Sequence, residues 1–187
     1  MASSTLDGGK KLEKALADIS RRVGKAATVK VGFLAGATYA NGTPVAMVAA
    51  IQNFGAPARG IPPRPFFWNM IADKSSEWGP AVGDILKAND FDAERSLEQV
   101  GQGIAGQLRQ SIIDTNDPPL SPITLMLRKM RTDNPDLVVT GKTVGEAARR
   151  VADGDSYGGV STKPLVDIGP EGGHMLQSVD YKVTTGD

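Results

Sequence analysis

The chain has 187 residues, enough for one domain, with 40% apolar and only 5% aromatic side chains, so its core must rest on aliphatic residues. Lys plus Arg and Asp plus Glu balance at 21 each, which argues against a free nucleic-acid binder. Cysteine is absent, so disulfides, thiol nucleophiles and cysteine-held metals are excluded.

The start, Met-Ala-Ser-Ser, lacks the charged and apolar regions of a signal peptide, and no run reaches the roughly 18–20 apolar residues that cross a bilayer. A soluble protein without a targeting segment is expected. Residues 1–8 read as a flexible terminus. A long amphipathic helix follows from Lys10, with Leu12, Ala15, Leu16, Ile19 and Val23 on one stripe and Gly24 as its stop. Residues 1–30 carry seven bases and three acids, read chiefly as a solvated helix face. Val29, Val31 and Phe33 alternate with Thr28, Lys30 and Gly32, the pattern of a half-buried strand. Asn41-Gly42 marks a turn, and Thr43-Pro44 supplies an N-cap and first-turn proline for a helix from Val45 to Asn53. That helix is apolar almost all round, so it should be buried on every side, in the core or against another subunit.

Gly55 ends that helix, and the proline-rich stretch 55–65 should lack regular structure. Phe66, Phe67, Trp68, Ile71 and Trp78 suggest a helix that Pro80 breaks or restarts. A longer helix, Asp92 to Ile113, places Leu97, Val100, Ile104, Leu108 and Ile112 on one face. Pro118-Pro119 stops the chain, and Pro122 begins a short helix carrying Leu125, Met126, Arg128 and Lys129. Val144, Ala147, Ala148 and Val151 suggest another, followed by a loop from Gly154 to Thr162. Leu165-Val166 and the run Met175–Val183 read as strands. Helices and strands mix without a βαβ rhythm, so the expected class is α+β, a single domain over 9–187 with a mixed sheet flanked by helices.

Three stretches imitate catalytic chemistry. Gly101-Gln-Gly103-Ile-Ala-Gly106 matches a dinucleotide fingerprint but falls inside a helical stripe rather than at a strand-to-helix turn, so close helix packing is the better reading. Thr140-Gly141-Lys142-Thr143 resembles the end of a phosphate-binding loop. Asp136 stands where the first glycine is needed, however, which favours a simple helix start. His174 is the only histidine, with Ser178 and Asp167 as its nearest triad candidates and nothing else in support. Zinc and EF-hand patterns are missing. No catalytic residue, cofactor or metal is therefore assigned, and no enzyme is expected.

The most unusual local chemistry lies elsewhere. Ala49-Ala50-Ile51-Gln52-Asn53-Phe54-Gly55 runs into Ile61-Pro62-Pro63-Arg64-Pro65-Phe66-Phe67. Later come Pro118-Pro119-Leu120-Ser121-Pro122-Ile123-Thr124, Lys163-Pro164-Leu165-Val166-Asp167 and Met175-Leu176-Gln177-Ser178-Val179. In this order they resemble the tail-completion proteins of long-tailed bacteriophages, the minor-tail-protein-Z-like head–tail joining family. The resemblance spans residues 29–183. The chain departs from the family pattern at Asn53, where Glu is usual, at Ile168, and in the added Pro170-Glu171-Gly172-Gly173. A helix and loop also look inserted over 132–162.

The resemblance implies a virion protein of the neck, assembled in the host cytoplasm. It would form a homo-oligomeric ring of six subunits between the head connector or stopper and the tail terminator or tail tube. DNA would pass through the channel without sequence-specific binding, and no membrane would be involved. A tail terminator capping the tube is the alternative within the same machine, and a nucleotide-binding enzyme using Thr140–Thr143 is the rival from another class. Residues of the quoted motifs become the candidate interface set: Ile51, Phe54, Gly55, Ile61, Pro63, Arg64, Pro65, Phe66, Phe67, Pro119, Leu120, Leu165, Leu176 and Ser178. A ring subunit offers two different faces to its neighbours. The apolar helix 45–53 and the proline-stiffened loop 56–65 suit that need, since prolines reduce the entropy lost on docking. Arg64, set between prolines, is expected to pair with a carboxylate of the adjacent subunit. Phe66 and Phe67 either join that contact or anchor the loop in their own core.

Overall fold

The computed structural model describes residues 8–23, 27–33, 35–166 and 173–185. Residues 1–7 of the expected flexible terminus 1–8, the helix stop at Gly24, Asp167 and the departures at Ile168 and 170–172 lie outside the described residues, while Gly8 already belongs to a helix. The chain is mostly helical, with one small antiparallel strand pair, an α+β composition. By contacts it groups into two compact units, one of residues 1–32, 74–105 and 180–187, the other of 33–73 and 106–179.

In the first unit, α1 (Gly8–Val23) carries the apolar stripe, with Leu12 and Leu16 in solvent at 62% and 57% exposure. β1 (Ala27–Phe33) half-buries Val29 and Val31 while Thr28 and Lys30 stay exposed, the alternation that the pleat dictates. It pairs only with β2 (Val179–Thr185), so the sheet of the described residues is two-stranded rather than mixed.

Two expected strands are corrected. Leu165-Val166 joins no ladder, because Pro164 has no N–H to give and the carbonyls of Ser161 and Lys163 are already taken by Arg128. The run from Met175 begins as a single helical turn, α7 (His174–Gln177), entered through Gly173 at φ +74°. The Ser178 hydroxyl donates back to the His174 carbonyl at 2.7 Å, and the chain extends only from Val179.

Two further expectations change. α2 (Val45–Phe54) is capped by Pro44 in extended conformation, not by Thr43, whose N–H instead donates to Asn41 Oδ1 at 3.0 Å. Nor is α2 buried all round within the chain: Val45, Ala49 and Asn53 face inward, while Ala46, Met47, Ala50 and Phe54 are exposed. α3 (Phe66–Ala88) runs unbroken through Pro80. The proline lies on an exposed stretch, so water can satisfy the carbonyl of Ser76 that loses its helical partner.

α4 (Ala93–Asp114) starts where Asp92 Oδ1 accepts the Arg95 N–H at 3.1 Å. Ser121 caps α5 (Pro122–Asp133) in the same way, accepting from the Thr124 N–H at 3.2 Å. α6 (Gly141–Ala152) packs on α5 around Met126, Met130 and Ala147, with Leu137, Val151 and Tyr157 closing the cluster. α6 and the coil 153–164 fill most of the span read as an insertion. The other buried positions of the second unit include Val45, Phe66, Leu108 and Ile112. No described helix is long and apolar enough to cross a membrane.

Candidate functional site

The proline-rich motifs meet at Arg64. Its backbone N–H donates to the Gln52 carbonyl at 2.8 Å, tying the loop after α2 back to the helix. The loop itself is more ordered than its prolines suggest. Pro57–Arg59 form one 3-10 turn, and Ala56 and Ile61 exchange backbone hydrogen bonds at 2.8 and 3.2 Å. This brings Arg64 inward, to 5% exposure. Its Nε donates to the Pro118 carbonyl at 3.0 Å, with longer reaches to Gln52 Oε1 at 3.3 Å and the Pro119 carbonyl at 3.5 Å.

The guanidinium therefore binds the chain's own Pro118-Pro119 turn. This corrects the expectation that it pairs with a neighbouring subunit's carboxylate: a side chain so buried and so engaged has no face to offer outside. Burial lowers the Arg64 pKa first, the nearby charge of Arg128 lowers it further, and Asp117 opposes both. An arginine stays charged nonetheless.

Arg128 performs the same task one loop further on. It donates to the carbonyls of Ser161 and Lys163, both at 2.8 Å, and so holds the Lys163-Pro164-Leu165 segment, with Leu165 buried at 6% exposure. Asn53 completes the arrangement. Buried at 6% exposure, its Oδ1 accepts the Phe67 N–H at 3.1 Å and so caps α3 from outside the helix. Ser111 Oγ donates to the Phe66 carbonyl at 2.7 Å.

The candidate residues thus divide. Arg64, Phe66 and Leu165 are buried, and Phe66 meets Phe33 edge-on at 6.3 Å between ring centroids. Ile51, Gly55, Ile61, Pro65, Phe67, Leu120, Leu176 and Ser178 are half-buried, whereas Phe54, Pro63 and Pro119 are exposed. Phe66 is therefore the core anchor, and Phe67 lies partly outside. Phe54 at 63% and Trp68 at 53% stand edge to face, centroids 6.5 Å apart, over a groove of about 260 Å³ walled by Ala49, Ala50, Phe66 and Phe67. Met47, half exposed, extends the apolar face along α2.

Sequence reasoning did not find Asn53, Gln52 or Arg128 as fixing residues. Asn53 lies 14 residues before the Phe67 N–H that it caps, so its role depends on a contact that the local pattern does not report. Arg128 was placed on its helix, but its partners lie 33 and 35 residues away along the chain, and nothing local announces them.

The three imitations of catalytic chemistry also have structural places. Thr140 and Thr143 form a reciprocal capping box at the start of α6, with the Thr140 N–H donating to Thr143 Oγ1 at 2.7 Å. Gly101 lies in α4, where a Cβ would come within 2.6 Å of the Tyr181 ring and 2.8 Å of Val29, so it permits close approach to the strand pair. Gly103 and Gly106 face open space, so the packing explanation holds for Gly101 alone. The His174 ring packs on Tyr39 at 5.0 Å, and its Nε2 lies 3.0 Å from the Thr38 carbonyl, while the Ser178 hydroxyl is spent on a backbone carbonyl.

No protein-family model matches the chain, and neither the curated proteins nor the solved structures hold a significant match to it.

Proposed function

We propose that this chain is a structural virion protein of the phage head–tail junction, a tail-completion or neck component that assembles as a ring and leaves a passage for DNA. The observation that carries the reading is the use made of the ordered motifs. Arg64 of Ile61-Pro-Pro-Arg-Pro-Phe binds the carbonyl of Pro118 in Pro118-Pro-Leu-Ser, and Arg128 of α5 binds the carbonyls of Ser161 and of Lys163 in Lys163-Pro-Leu, which suits a scaffold for stiff projecting loops better than a pocket for chemistry. Beside them, Met47, Phe54 and Trp68 form a contiguous apolar face, the kind of surface that a partner covers.

Within this reading Arg64 acts as an internal strut, and contact with neighbours falls to Phe54, Trp68 and the exposed prolines. The test is to label purified particles with an antibody against the chain. Label at the junction between head and tail is expected. Label confined to the capsid surface or the distal tail tip, or none on the particle, overturns the proposal.

A further inference from the structure

We propose that Val138-Val139 of one copy inserts into the groove between α2 and the start of α3 of a second copy. This names one contact of the ring and rests on the ring reading only for closure. The groove holds about 260 Å³, more than the roughly 150 Å³ that takes up a benzene ring, and no ionisable residue lines it. Its wall of Ala46, Ala49 and Ala50 is apolar, and beside it lies Asn53. That side chain is buried, with its Oδ1 spent on the Phe67 N–H. Its Nδ2 has no partner among the described residues yet is not sealed from solvent, and the opening that Asn53 lines is the groove. One unmatched donor in an apolar groove selects an apolar occupant that brings one acceptor. A helix interior has its carbonyls already taken, whereas an extended segment keeps them free.

The chain itself displays such a segment. Pro135 and Asp136 form a turn closed by the Leu137 N–H, which donates to the Asn134 carbonyl at 3.0 Å. Leu137 then packs on the α5–α6 cluster, and the Thr140–Thr143 box fixes the far end. Between these anchors Val138 and Val139 stand out at 71% and 51% exposure, and no large apolar side chain among the described residues is more exposed than Val138. The Val139 N–H and carbonyl have no partner among the described residues. A prong held at both ends loses little entropy on docking. No ionisable side chain lies from Leu137 to Gly141, so an uncharged prong with a free acceptor meets an uncharged groove with a free donor. Prong and groove belong to the same unit, and within one copy neither valine lines the groove. The contact therefore runs between copies, convex on one and concave on the next, the head-to-tail kind that closes a ring.

The experiment is light scattering of the full chain from dilute to the highest soluble concentration. Wild type should form species at multiples of 19.6 kDa. Val138→Ser with Val139→Ser removes the prong, and Ala50→Phe fills the groove; each should weaken association at least about tenfold. Circular dichroism should show both variants folded, since all three positions are exposed in the single chain. Asn53→Asp keeps the oxygen that caps α3 but loses the donor, and should weaken association likewise with the fold retained. The decisive arm mixes the prong variant with the groove variant. One copy then lends its prong and the other its groove, so a complex of two chains that cannot extend should form. Variants that associate like wild type, a mixture that stays monomeric, or a wild-type monomer at every concentration overturn this contact. The particle label then decides the ring separately.

Discussion

At Gly55 the backbone φ is +75°, and an added Cβ would stand 2.7 Å from the Pro63 nitrogen and 2.9 Å from the Ile61 carbonyl oxygen. Both neighbours are backbone and cannot swing aside, so α2 can turn into the proline loop only through glycine. Gly55→Ala should cost at least about 2 kcal/mol, read as a lowered urea midpoint. An unchanged midpoint would show that the loop yields where it is described as rigid. The glycines of α4 offer an internal contrast. Gly101→Ala drives a methyl into Tyr181 and Val29 and should cost about 1–3 kcal/mol. Gly103→Ala meets open space and should gain up to about 1 kcal/mol of helix propensity. Equal effects at the two positions would contradict the packing role assigned to Gly101.

Among elements, the termini of α5 and α6 carry the sequence motifs that looked functional. Ser121 and Thr140 each accept an N–H of the first turn, and the Thr140–Thr143 box accounts for the residues that imitate a phosphate loop. Thr140→Ala should cost about 1 kcal/mol. Lys142→Ala should leave both stability and ATP binding unchanged, measured by thermal melts with and without nucleotide. A melt raised by ATP in wild type and lost in Lys142→Ala would restore the nucleotide-binding rival. Local chemistry of this kind was readable from the chain: the stripe of α4, the helix start at Thr140, the alternation of β1 and the glycine stop at 55. The misread elements are those decided by distant partners. Pro80 sits inside α3 because that stretch faces water, which periodicity does not report. Leu165-Val166 has the composition of a strand, but its flanking carbonyls are claimed from α5. α2 reads as buried all round because it has no charge, and the single chain still leaves Phe54 at 63% exposure.

For the second unit as a whole, two arginines replace what a larger core would supply. Arg64 fixes the Pro118-Pro119 turn to the proline loop, and Arg128 fixes residues 161–163 to α5. They do so at close enough range that the charge of Arg128 lowers the Arg64 pKa, with Asp117 as the opposing anion. Two cations that each anchor a loop but repel one another have a definite thermodynamic signature. Arg64→Met loses its hydrogen bonds and relieves the repulsion, and so does Arg128→Met. In the double variant both sets of bonds are gone, but the repulsion can be relieved only once. The double variant should therefore be destabilised by more than the sum of the singles, by about 0.5–1 kcal/mol at low salt. The excess should shrink at high salt because screening weakens the repulsion. Denaturant unfolding of the four proteins at two ionic strengths measures it. Additivity would mean that the two loops are held independently, whereas a double variant better than the sum would mean that the two anchors support one another and that the repulsion is not the leading coupling. In the additive case the motifs would be neighbours in the chain's order without being one mechanical unit.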